Sequence, residues 1–189
     1  FQTGYLTIKK LDDERQSVTL DFPNNEVANA FAIHLLSEFA EKRREDVDSL
    51  VRKMNDHLQN GRVEGFVTAM IALFGEIAYP IQPSKGASIT NMEKYYHSMF
   101  YLVLRLLGYN IEAEVLVHSG RIDAVITTQS YVYVVEFKLG KAATALAQIK
   151  ELGYATRYIG AGKRVILLGI GFDTKKRTIG DYLMEEVSI

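Results

Sequence analysis

The stretch Gly120-Arg121-Ile122-Asp123-Ala124-Val125-Ile126-Thr127-Thr128-Gln129-Ser130-Tyr131-Val132-Tyr133-Val134-Val135-Glu136-Phe137-Lys138 decides how the rest of the chain is read. Two runs of β-branched and aromatic residues flank a polar tetrad, Thr127 to Ser130, which is the pattern of a β-hairpin. A two-residue loop at Gln129 and Ser130 sets Thr128 across from Tyr131, and counting back along both strands sets Asp123 across from Glu136. Side chains alternate along a strand and opposed residues share a face, so Asp123, Glu136 and Lys138 converge on one patch of an apolar sheet. Opposed like charges destabilise a sheet. A facing Asp and Glu among valines and isoleucines therefore predicts a cation between them.

Composition sets the outer bounds. The 189 residues suffice for one domain, or a domain with an extension. With 48% hydrophobic and 24% charged residues the chain has the make-up of a globular protein with a buried core. There is no cysteine, which excludes a disulfide framework, a thiolate metal site and a cysteine nucleophile, and fits a reducing compartment such as the cytoplasm. No apolar run reaches membrane-span length, so no membrane association is expected, and no signal-peptide pattern opens the chain. Phe1 stands where a natural chain would carry Met, which points to a piece of a longer protein. The net charge of −1 carries no global nucleic-acid signal. From Glu136 to Arg177, however, nine Lys/Arg stand against three acids, an excess of +6. That excess suits a phosphate-binding face and equally suits a solvated surface.

In chain order, Tyr5 to Ile8 and Ser17 to Phe22 read as short strands, followed by a helix from Glu26 with Asn25 as its cap. Ala40 to Gln59 reads as a second helix with a solvated face, or as a continuation of the first, and Val63 to Tyr79 as a further helix. Pro80 to Gly86 is loop and the expected boundary. It divides the chain into residues 1–83, an N-terminal hairpin and helical linker region, and residues 84–189, the core domain. The core then runs helix (Met92 to Leu107), three strands (Ile111 to His118, Gly120 to Thr128, Tyr131 to Leu139), helix (Gly140 to Ile159) and strand (Lys163 to Gly169). Thr178 to Val187 is expected to add an edge strand and a short helix. The fold class is α/β, a mixed central sheet flanked by helices on both sides, with a helical N-terminal extension.

The set Asp123 … Glu136-Phe137-Lys138 has the form D-x12-E-x-K. Two carboxylates supply the oxygen ligands a hard cation needs, and such a cation activates water and neutralises charge on a scissile phosphate. A neighbouring lysine stabilises the negative charge that develops there. E-x-K alone is common as a surface salt bridge; Asp123 in register with it favours a site.

The run Gly120-Arg121-Ile122-Asp123, then Val135-Glu136-Phe137-Lys138, then Ala145-Leu146-Ala147-Gln148-Ile149 and Gly153-Tyr154-Ala155 resembles the PD-(D/E)XK nuclease superfamily, over roughly Asn91 to Gly171. It is most similar to the nuclease-like domain at the C-terminus of bacterial AAA-ATPase-like proteins. Thr3-Gly4-Tyr5-Leu6-Thr7-Ile8 with Phe22-Pro23-Asn24-Asn25-Glu26-Val27 is similar to the piece that joins the two parts of those proteins. Ile122 replaces the superfamily's nominal proline, a departure that removes no ligand. The resemblance implies a restriction-endonuclease-like core, DNA as substrate, Mg²⁺ or Mn²⁺ at Asp123 and Glu136, and an ATPase-like domain upstream in the same full-length chain. No GxxxxGK[ST] loop occurs here for ATP. The resemblance also implies Glu93 as a further metal ligand and Gln148 as a residue that faces the site. Other roles fit both: Glu93 complements a helix N-terminus, and Gln148 is a helix-surface glutamine.

The remaining residues carry less. His97, one turn beyond Glu93, suits a buried helix histidine better than a general base. Arg121 would face Lys138 and either contact phosphate or pair with an acid, and Glu114 reads as a salt-bridge partner. Lys175-Lys176-Arg177 reads as a turn that could touch a nucleic-acid backbone. The leading reading is a metal-dependent nuclease with catalytic residues Asp123, Glu136, Lys138 and Gln148. A non-cleaving nucleic-acid- or protein-binding regulatory module of an ATPase-like protein is the alternative, and a homodimer is compatible with either.

Overall fold

Tyr131 to Leu139 alternates β-branched and aromatic residues with almost no polar relief, a composition that suits a strand buried on both faces. In the computed structural model this segment is the middle strand of a five-stranded sheet, and seven of its nine residues are buried. The structure describes residues 5–12, 16–39, 43–76, 96, 98–104, 110–117, 120–160, 162–176 and 178–187. Strands β1 (Thr7–Asp12) and β2 (Ser17–Asp21) form a separate antiparallel hairpin. Helices α1 (Asn25–Phe39), α2 (Arg44–Gln59), α3 (Val63–Glu76) and α4 (98–104) follow. Then come β3 (Asn110–Val117), β4 (Gly120–Thr127), β5 (Tyr131–Leu139), α5 (Ala142–Glu151), β6 (Arg164–Asp173) and β7 (Thr178–Val187).

The sheet order is β3-β4-β5-β6-β7. β5 and β6 run parallel and the other neighbours antiparallel, so the sheet is mixed. A parallel pair needs a crossover, and α5 supplies it. This is the α/β, restriction-endonuclease-like architecture expected from the sequence. The predicted domain division at 83/84 falls outside the described residues.

The two faces of the sheet bury different cores. Tyr133, Val135 and Phe137 of β5 and Ile166, Leu168 and Phe172 of β6 join a large cluster with Met54 and Leu58 of α2, Phe66, Met70 and Phe74 of α3, and Phe100 and Leu104 of α4. The Tyr133 hydroxyl, buried in that layer, donates to the Leu58 carbonyl at 2.6 Å, near the end of α2. Period 2 sends Val132, Val134, Val165 and Leu167 to the opposite face, where they meet Ile149 of α5 and Tyr154 beyond it.

On that second face the glycines of β6 decide how close α5 can come. Gly169 pairs with Glu136 and Gly171 with Lys138. A methyl group built on Gly169 would lie 2.6 Å from the Ala142 carbonyl oxygen and 2.7 Å from the Leu146 amide nitrogen. The helix backbone therefore rests directly on this end of the sheet.

Several expectations are corrected. Asn24, not Asn25, caps α1, its side-chain oxygen accepting from the Val27 N–H at 2.9 Å. The helix after β5 stops at Glu151, with Gly153 at φ +62° turning the chain away in the left-handed conformation glycine favours. The segment Thr178–Val187 is one continuous strand with no helix. Its Leu-Met-Glu-Glu composition favours helix, but the ladder to buried β6, running to Val165 opposite Val187, overrides that preference.

Gly169→Ala should destabilise the protein by about 1–3 kcal/mol, because neither the helix backbone nor the strand can yield cheaply. Gly75→Ala, at an exposed α3 position where an added methyl meets nothing within 4 Å, should be neutral or stabilise by up to about 1 kcal/mol. Urea denaturation of both variants checks the pair, and equal effects would contradict the tight helix–sheet contact.

Candidate active site

The hairpin has the register expected from its sequence. Ala124 pairs with Val135, Val125 with Val134, Ile126 with Tyr133 and Thr127 with Val132. The Thr128 N–H donates to the Tyr131 carbonyl and the Tyr131 N–H donates to the Thr128 hydroxyl oxygen, both at 2.9 Å, closing the turn over Gln129 and Ser130. One step beyond Ala124–Val135, the same register sets Asp123 across from Glu136. There the regular ladder ends. The Phe137 N–H donates instead to Asp123 Oδ2 at 2.9 Å. A side-chain carboxylate has taken the place of a backbone acceptor, which fixes Asp123 against β5.

Glu136 is the buried member of the pair, with only 1% of its surface exposed. Its two oxygens differ sharply. Oε1 accepts from Lys138 Nζ at 3.1 Å and from Gln148 Nε2 at 2.5 Å. Oε2 is buried and has no hydrogen-bond partner. A buried oxygen without a donor is costly. The carboxyl responds by holding its proton: burial first, and the Asp123 charge second, push its pKa from an ordinary 4.5 up to about 7, against the pull of Lys138. Lys138 keeps 28% of its side chain exposed, so its ammonium group spans buried Glu136 and solvent.

Gln148 reaches Glu136 because α5 lies on Gly169 and Gly171. Its start is tied down from the neighbouring strand: the Ala142 N–H donates to the Asp181 carboxylate of β7, at 3.1 and 3.2 Å to the two oxygens. Lys141, which precedes α5, makes no side-chain cap, so Asp181 fills that role from 39 residues away. Lys138, Gly171 and Asp181 stand in one row across β5, β6 and β7. Sequence reading missed Asp181 and the two glycines. The alternation Gly169-Ile170-Gly171 inside an apolar strand is a usable signal for a close backbone approach; a helix cap supplied from another strand leaves none.

Of the residues singled out from sequence, Asp123, Glu136, Lys138 and Gln148 come together. Glu93 and His97 lie outside the described residues, as do the side chains of Arg121 and Glu114. Among the described residues no group of three or more His, Asp or Glu side chains converges. The pair Asp123 and Glu136, with Oε2 unsatisfied, suits Mg²⁺ or Mn²⁺, since Mg²⁺ typically takes one or two carboxylates and keeps several waters.

The geometry agrees with kinship. The family model of the PD-(D/E)XK nuclease superfamily matches residues 91–182. This part of the chain belongs to that superfamily. The matched span contains Asp123, Glu136, Lys138 and Gln148, and Asp181 as well. A protein of Azotobacter chroococcum mcd 1, named only as an uncharacterized protein in the vnfD 5′ region, is 31% identical over 196 residues. The match takes in 99% of this chain and 37% of that relative, so the chain spans little more than a third of its length. No solved structure matches the chain.

The raised pKa fixes the sign of a pH effect. The folded state binds the Glu136 proton more tightly than the unfolded chain, so the associated stability is complete below pH 4.5 and is lost as pH rises through about 7. Glu136→Gln removes the charge and should stabilise the metal-free protein at alkaline pH, by roughly 3 kcal/mol at most, with little effect in mild acid. Denaturant melts of both proteins in EDTA across that range measure it; a pH-independent difference would contradict the assignment.

Proposed function

We propose that the chain hydrolyses phosphodiester bonds in DNA, with Mg²⁺ or Mn²⁺ held by Asp123 and Glu136. The observation that carries this reading is the unsatisfied Glu136 Oε2 beside a second carboxylate and a partly exposed lysine. Membership of residues 91–182 in a nuclease superfamily supports it. The cation, when bound, supplies a water of lowered pKa and offsets charge on the scissile phosphate.

The protein groups have separable roles in this reading. Asp123 is oriented by the Phe137 N–H and would hold the cation together with Glu136. Gln148 and Lys138 both hold Glu136 Oε1, which leaves Oε2 as the ligand atom. Lys138 has more donors than its bond to Glu136 uses, so it also contacts the phosphate and stabilises the charge that builds on its oxygens. Glu93 would complete the metal site from the preceding helix. In this reading the working protein is a longer bacterial one, acting in the cytoplasm with an ATPase-like part upstream; of these, the greater length has the support of the relative, of which the chain spans 37%. No helix among the described residues is long and apolar enough to cross a membrane.

Cleavage assays on single-stranded, duplex and branched DNA with Mg²⁺ and Mn²⁺ test the proposal. Lys138→Ala should lower the rate by at least about 100-fold while leaving the fold intact. Calorimetric titration with Mn²⁺ should show binding that Asp123→Asn and Glu136→Gln each abolish. Undiminished cleavage by the Lys138 variant, or Mn²⁺ binding indifferent to both acids, would sink the reading.

A further inference from the structure

Where β5 and β6 end, three residues beyond Glu136, lies an open groove of about 580 Å³ between the start of α5 and the β6–β7 turn. We propose that this groove is a backbone-binding subsite that carries the nucleic-acid strand flanking the scissile phosphate, with Lys141 and Lys175 as its cations. The proposal rests on the nucleolytic reading above and deepens it.

The charges in the groove are not symmetrically available. Two acids line it, Asp173 and Asp181, and the amides of the protein occupy both. Asp173 Oδ1 accepts from the Lys175 N–H at 2.8 Å and the Lys176 N–H at 3.0 Å. Asp181 accepts from the Ala142 N–H. The exposed side chain of Lys141 makes no salt bridge among the described residues, and Lys175 lies near the Asp173 charge without a salt bridge to it. Other cations near the sheet are answered: Lys150 of α5 meets Glu185, and on the opposite face Arg164 meets Glu186. Lys138, which also holds Glu136, and the exposed Lys176 of the turn flank the groove in sequence and extend the basic track. Solvent-exposed ammonium groups next to a phosphodiester site suit a polyanionic strand.

Position and lining define the ligand further. Leu139 lies three residues beyond Glu136, about 10 Å at the strand rise of ~3.3 Å per residue. One strand of a DNA duplex carries one phosphate per ~3.4 Å of helix axis, so along a duplex the groove lies about three nucleotides from the cut. Phe172, the aromatic residue in the lining, is buried to 1% exposure and packs on Tyr96 and Phe137, which leaves no face for a base. Recognition there falls on backbone phosphate, without sequence preference.

Fluorescence anisotropy with labelled single-stranded and duplex DNA, in EDTA over a range of NaCl, tests the subsite on the 189-residue chain. The double variant Lys141→Ala/Lys175→Ala should bind about tenfold more weakly at low salt, with a log–log salt slope smaller by about 1.5, from ~0.7–0.9 per lost phosphate contact. Lys10→Ala/Lys53→Ala, the same charge change on exposed lysines outside the groove, should match the native chain, and thermal melts should show all three folded. Equal losses in both double variants, or no loss in the groove variant, would overturn the subsite, as would absence of DNA binding by the native chain. Cleavage of the same DNA with Mn²⁺ separates the two ideas. Groove-dependent binding without cleavage supports the subsite and overturns the nuclease, whereas cleavage with groove-independent binding does the reverse.

Discussion

A carboxylate kept almost wholly out of water, with donors on one oxygen and none on the other, is the interaction on which this structure turns. Burying Glu136 is unfavourable, and the proximity of Asp123 makes it more so. Lys138 and Gln148 offset part of that cost, both at Oε1. The residual frustration is concentrated at Oε2, which is where a hard cation would remove it. Local strain of this kind at an otherwise well-packed sheet has the character of a functional site.

The rest of the fold can be understood as the support for that point. The large core lies on the opposite face, where α2, α3 and α4 cover Tyr133, Val135 and Phe137. That core fixes β5 without crowding the acids. On the site face the sheet loses its side chains at Gly169 and Gly171, directly beside Glu136 and Lys138. The absence of side chains there brings α5 down onto the backbone and Gln148 within reach of Glu136. Asp181 then secures the first turn of α5 from the neighbouring strand. Three strands and one helix thus converge on two oxygens.

Superfamily membership and geometry support each other without repeating each other. The match over residues 91–182 says that this is nuclease-type architecture. The hydrogen bonds say which atom of the acid pair is left to bind something and which groups hold it ready. The hairpin β1–β2 and helix α1 stand outside the matched span. Tyr5 and Phe22 pack their rings against Phe31, so the hairpin is joined to α1 by aromatic contact.

The sequence by itself determined the sheet hairpin, its register and the convergence of Asp123, Glu136 and Lys138, because strand alternation and a two-residue turn leave one way to pair the two runs. It also carried the order of strands and helices through the core, since each element has its own hydrophobic period. It was less reliable where local preference and tertiary pairing compete, as at Leu183 to Glu186, whose helix-favouring residues are held extended by β6. Only the tertiary structure decided that Glu136 is the buried acid, that Oε2 is its unsatisfied atom, and that Asp181 caps α5. Those facts depend on desolvation and on contacts between segments as many as 39 residues apart, and neither periodicity nor spacing encodes which two segments will meet.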